Sequence, residues 1–174
     1  MTQKIIIDTD PGIDDTMAIF FALNSPEIDL LGLTTVYGNT STEKGTINAL
    51  RILEIASRTD IPVYAGAVKP LENEYTGKGE FVHGHDGQGN TNLEPPKSKT
   101  GIGSAVDFLE KAIKENPGEV TGIQLVLEDL PEAVTMTNVE GLGILSGEDL
   151  NAYSSDYNGV ATILWFSLTG EVLD

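Results

Sequence analysis

The sequence predicts an α/β fold, a mostly parallel sheet with helices on both faces, and three observations carry that expectation. Lys4–Thr9 holds Ile5, Ile6 and Ile7 in succession, the pattern of a strand buried on both sides. Strand-like and helix-like segments then alternate, and alternation implies parallel strands joined by right-handed crossovers. The residues richest in chemistry follow the first two strands, at the carboxyl edge where such sheets hold ligands.

Element by element, Pro11 and Gly12 end the first strand, and Asp14–Asn24 reads as a helix with an apolar face. Glu27–Tyr37 reads as a second strand ending in Gly38 and Asn39. Thr42 is placed to cap a helix running through Arg58, and Ile61–Ala65 reads as a short third strand. From Gly66 to Thr100 glycine and proline are frequent and periodicity is weak, so a long functional loop is expected. Helix signals return over Gly103–Asn116, and Glu119–Leu127 reads as a fourth strand despite Gly122. Beyond it, Leu130–Thr137 suggests a helix, Gly141–Leu145 a short strand and Gly159–Leu168 a further strand, with Trp165, Phe166 and Leu168 as core residues.

Composition narrows the function classes. The 174 residues carry a net charge of −17, which repels phosphates and so argues against nucleic-acid binding and against docking on anionic membranes. A neutral small molecule or a cation suits such a surface better. With no cysteine, disulfides, thiolate metal sites and cysteine nucleophiles are excluded. The start MTQKIII has no leader-like apolar stretch and no run is long enough to span a bilayer, so a cytoplasmic location is the default expectation. Charge is uneven: all ten Lys and Arg lie before residue 115, while 115–174 holds 11 of the 27 acids. Such a stretch is either a separate acidic module or does not share the history of what precedes it.

The central motif is DTDPGIDD, Asp8–Asp15. Four carboxylates leave a buried strand within eight positions, and such crowding is relieved by a bound cation or an electropositive site. Pro11 and Gly12 reverse the backbone, so Asp10 and Asp15 can converge on one ion, calcium before magnesium for a carboxylate-rich site. Acids in a first helical turn are also stabilising by themselves, which accounts for Asp14 or Asp15 singly but not for Asp8 and Asp10. An EF-hand needs a different pattern, failing at Gly12, Ile13 and Ile19. A haloacid-dehalogenase-like phosphotransferase, with Asp8 as nucleophile and magnesium as cofactor, also begins with strand–D-x-D, but Gly12 is foreign to that motif and no completing lysine or second acidic motif is evident.

DTDPGIDD, LTTVYGN after the second strand and HGHDGQGN in the long loop, in this order and spacing, resemble the nucleoside hydrolase family of the inosine–uridine-preferring type, over residues 3–121. The resemblance implies a Rossmann-like core and calcium-dependent hydrolysis of a ribonucleoside to ribose and free base. Asp10 and Asp15 match the family's calcium-binding carboxylates, and Asp10 also matches the base that deprotonates the attacking water. Asp14 matches a ribose-binding residue, Asn39 the asparagine beside metal and sugar, and His83 the histidine near the nucleobase. Asp8 is expected to support the loop, and His85 to be solvated. The family's habit of forming homo-oligomers is implied as well.

The resemblance is incomplete, and its end divides the chain into an expected core over 1–121 and an acidic segment over 122–174 packed on the same sheet. After Glu119–Thr121 the family's G-P-L-T-N-type turn, which gives a backbone carbonyl to calcium, is replaced by GIQLVLEDLPEAV. The later asparagine- and glutamate-bearing loop and the His-Asp pair have no counterpart in 122–174, which holds no histidine. Three readings stay open: an altered or truncated relative, a diverged protein keeping a calcium-binding or interaction role without hydrolysis, or a site completed by another chain.

Overall fold

The structure is a computed structural model and describes residues 2–69, 79–128 and 160–167. Five strands form one sheet in the order β3-β2-β1-β4-β5. They are β1 (Gln3–Thr9), β2 (Ile28–Thr35), β3 (Val63–Ala65), β4 (Val120–Glu128) and β5 (Val160–Ser167). β1, β2, β3 and β4 pair parallel, and β5 joins β4 antiparallel. The helices are α1 (Ile13–Asn24), α2 (Thr42–Ile55), the short α3 (Glu80–His83) and α4 (Ala105–Glu115).

The isoleucine run explains the layering. Alternate side chains of a strand point to opposite faces, and Ile5 and Ile7 pack with Ile19 of α1 and Ala49, Ile52 and Leu53 of α2. Ile6 points the other way, to Ala112, Phe108 and Leu109 of α4. Both faces of β1 are thus covered, and each isoleucine so buried contributes about 1.5–3 kcal/mol. Gly32 of β2 makes room for this second layer, since a Cβ there would meet the Phe108 ring. That ring stacks on Tyr64 at 4.5 Å between centroids.

The strand order has a functional consequence. The chain builds outward from β1 through β2 to β3, then returns to the far side of β1 as β4. The order reverses at β1, and the crevice beyond the carboxyl end of a strand at such a switch point is the usual ligand position in α/β sheets. The acidic loop leaves β1 at that point.

Differences from the expected elements have local causes. α2 ends at Ile55, three residues before Arg58, because Ser57 takes a left-handed conformation (φ 57°). Its amide bonds Glu54 O, and the Arg58 amide closes on Leu53 O. β3 starts only at Val63, since Pro62 has no amide to give and instead accepts from Leu33 N at 3.0 Å. Gly122 does sit within a strand, paired with Ile6 on one side and Phe166 on the other. The helix expected over Leu130–Thr137, the strand over Gly141–Leu145 and the packing of Trp165, Phe166 and Leu168 lie outside the described residues.

Candidate metal and substrate site

β1 delivers Thr9 and Asp10 at its carboxyl end, and Gly12 starts α1 without a side chain to cap it. Asp15, in the first turn, does the capping instead. Its Oδ2 accepts from Gly12 N at 3.1 Å, and its Oδ1 accepts from Thr9 Oγ1 at 2.5 Å. β2 delivers Asn39 just beyond its end. Asn39 Nδ2 donates to Asp15 Oδ2 at 2.8 Å, while its backbone amide donates to Asp10 Oδ2. Asn39 therefore holds both carboxylates, one through its backbone and one through its side chain. Gly38 lies against the Asp10 carboxyl group, where a Cβ would overlap it.

The group is sealed. Thr9 and Asp10 are 0 % exposed, Asn39 1 %, His83 3 % and Asp15 4 %. Burial, and then the repulsion of Asp15, push the Asp10 carboxyl group well above the ordinary range. Asp15 is also raised, again chiefly by burial, although the Thr9 hydroxyl and the Gly12 amide oppose the shift. Asp8 is raised by burial against the opposing Thr34 hydroxyl, which donates to its Oδ1 at 2.5 Å. Among the described residues no Lys or Arg forms an ion pair with Asp10 or Asp15.

His83 comes from α3, and its Nδ1 accepts from Ile13 N at 3.2 Å. An Nδ1 that accepts carries no proton, so the neutral ring bears its proton on Nε2. Burial lowers the His83 pKa and keeps the ring neutral, against the pull of Asp14. Asp14 Oδ1 lies 3.7 Å from Nδ1, and with that nitrogen occupied by the Ile13 amide the approach is electrostatic only. Gly12 permits the arrangement, because a Cβ there would stand 2.7 Å from His83 Nδ1 and 2.8 Å from Asn39 Nδ2.

The structure thus brings together Asp10, Asp15, Asn39 and His83, with Asp14 beside them at the surface. His85 is exposed and pairs with Glu80 at 2.8 Å. Thr9, read from sequence only as the end of a strand, turns out to bracket Asp15. A hydroxyl directly preceding an acidic strand exit was the available signal.

A hard cation fits part of this arrangement. Asp10 Oδ1 and Asn39 Oδ1 are buried oxygens without a hydrogen-bond partner, and buried anions need a proton or a cation to neutralise them. Oxygen donors of this kind suit calcium or magnesium. The set is partial: among the described residues no group of three or more His, Cys, Asp or Glu is placed to hold a metal ion.

Residues 5–127 match the sequence profile of the inosine-uridine preferring nucleoside hydrolases, and the chain belongs to that family. It is 55 % identical over 124 residues to a probable uridine nucleosidase 2 of Arabidopsis thaliana, covering 71 % of this chain and 38 % of that protein. To the inosine-uridine preferring nucleoside hydrolase of Leishmania major it is 39 % identical over 144 residues, covering 82 % of this chain and 41 % of the other. A solved plant nucleoside hydrolase superposes with a TM-score of 0.68 at 50 % identity, over 72 % of this chain and 40 % of that one. The chain spans about two fifths of the length of these relatives. Among the described residues no helix is long and apolar enough to cross a membrane.

Proposed function

We infer that the cluster is the acidic part of a ribonucleoside-hydrolysing site, cutting the N-glycosidic bond to give ribose and free base with calcium as cofactor. The observation that carries this reading is the buried Asp10–Asn39–Asp15 unit at the switch point, with Asp10 Oδ1 and Asn39 Oδ1 unpartnered. Asp10 and Asp15 would hold the cation, which when bound supplies positive charge that lowers the pKa of a neighbouring water. Calcium is favoured over magnesium because carboxylates and waters together suit its flexible coordination.

The chain's own residues then have separate roles. Asp10 accepts the proton of the attacking water through its unpartnered Oδ1, and a cation beside it would favour the ionised form that burial alone disfavours. The water oxygen bonds to C1′ as the C1′–N bond breaks, and the bonding electrons leave with the base, which takes up a proton. The sugar gains oxocarbenium character on the way, and the surrounding carboxylates stabilise that positive charge. Asp14, exposed in the first turn of α1, is available to ribose hydroxyls and would fix the sugar. Asn39 sits beside both cation and sugar. His83, whose Nε2 is buried without a partner, would offer its N–H there to the nucleobase. Residues 1–121 form the working core in this reading, and the acidic segment 122–174 extends it.

A second reading keeps the cation but not the hydrolysis, the chain serving as a calcium-binding or interaction domain on the same core. Incubation of the purified chain with calcium and uridine or inosine, with released ribose assayed, separates the two. Calcium-dependent ribose release that disappears in Asp10→Asn supports hydrolysis. Calcium binding without any ribose release leaves the binding domain.

A further inference from the structure

Two loops meet at the carboxylate cluster: the acidic loop leaving β1, and the histidine loop after α3. Between them stands Asn48, on the buried face of α2 and 1 % exposed. Its Nδ2 donates to the Pro11 carbonyl at 3.1 Å and to the Asp86 carbonyl at 2.9 Å. Its Oδ1 accepts from Arg51 Nη1 at 3.0 Å. Both amide protons and the carbonyl are used, as a buried amide requires. Arg51 extends the link, donating through Nε and Nη2 to the Glu94 and Leu93 carbonyls, each at 3.1 Å.

The histidine loop is shaped to receive this side chain. Gly87 has φ 76°, and a Cβ there would stand 2.8 Å from Asn48 Nδ2. Asp86 organises the turn, its Oδ1 accepting from the Gln88 and Asn90 amides, each at 2.8 Å. Gly89 N closes the turn on His83 O at 2.7 Å. A bonded path therefore runs from Pro11 through Asn48 and the Asp86 turn to His83, whose ring returns to the acidic loop at Ile13 N. A leucine would suit the helix face as well as its neighbours Ala49 and Ile52 do. What the asparagine adds is the tie between two loops.

We propose that Asn48 is a positioning residue, holding the histidine loop at a fixed height over the acidic loop so that His83 seats its Nδ1 on the Ile13 amide. The proposal rests on the ribonucleoside reading only for its effect on turnover; its effect on His83 is separate. Asn48→Asp keeps the shape and the acceptor for Arg51 but removes both donors, and Asn48→Ser is the milder variant should the first fail to fold. The probe is nitrogen NMR of the full chain labelled in its two histidines.

In wild type His83 is expected as one tautomer protonated at Nε2. Either folded variant shifts it toward a tautomer mixture and leaves exposed His85 unchanged. Amide exchange at Gln88 and Asn90 rises by about tenfold, while the interior of α2 stays protected. In a wild type that hydrolyses uridine, the same variants lower kcat/KM by roughly tenfold to a hundredfold, the scale of a misplaced contact group. A folded variant with wild-type His83 signals and loop exchange overturns the proposal, whereas unchanged kcat and KM in a variant whose His83 has shifted uphold the tie and reject His83 as a contact of the substrate. A shifted His83 in a chain whose wild type releases no ribose upholds the tie and rejects the hydrolysis.

Discussion

At residue scale the cluster turns on oxygen atoms that are either engaged or free. Asp15 uses both oxygens on Thr9, Gly12 and Asn39, whereas Asp10 keeps Oδ1 unpartnered. Replacing Asp10 by Asn keeps the shape but removes the charge and the proton acceptor. The expected result is a fall in kcat of about 10²–10⁴-fold with the fold retained, read by ribose release and circular dichroism. Gly12→Ala acts differently. Its new methyl meets His83 and Asn39, so it should destabilise by about 1–3 kcal/mol, the cost of an overpacked site, measured by urea titration.

These residues also show what sequence can and cannot reveal. Asp10, Asp15 and Asn39 were legible because strand ends in an α/β sheet converge on one edge. The roles of the residues supporting their loops were harder to read. Thr9 and Asn48 act through contacts that exist only after folding, and Asn48 reaches residues 37 and 38 positions away in opposite directions.

At the scale of elements, the histidine loop is organised by one charged side chain, Asp86. Burial alone would raise the Asp86 pKa, but hydrogen bonds from the Gln88, Asn92 and Asn90 amides outweigh it and hold the carboxyl group below its ordinary value. A depressed carboxylate contributes stability above its unfolded pKa and loses it as pH falls through the folded value. Amide protection over residues 83–92, corrected for the intrinsic pH dependence of exchange, should therefore fall at acid pH before that of β1 does. α4 is governed by its cap: Ser104 Oγ and Asp107 satisfy each other's backbone amides. Ser104→Ala should cost about 1 kcal/mol in a denaturant titration. The sequence indicated both helix and loop, yet the early end of α2 depended on the left-handed Ser57, for which a serine gives no signal.

At the scale of the molecule, a central strand covered on both faces was readable from three successive isoleucines, while the antiparallel pairing of β5 with β4 was not, since an apolar run does not state its direction. The same molecule carries a net charge of −17 and encloses Asp8, Asp10 and Asp15 with raised pKa values. A carboxyl group raised on folding keeps a proton that the unfolded chain releases. Without a cation, the stability of the fold should thus fall as pH rises from the ordinary carboxylate range toward neutrality. A bound divalent cation should oppose that loss, because it stabilises only the folded state.

Calorimetric titration of calcium into the full chain at neutral pH, with Asp10→Asn beside it, tests the cation site most directly. Saturable binding heat in wild type, absent or much weakened in the variant, is the predicted result. Equal heats for the two proteins, or none for wild type, would contradict a cation held by Asp10 and Asp15.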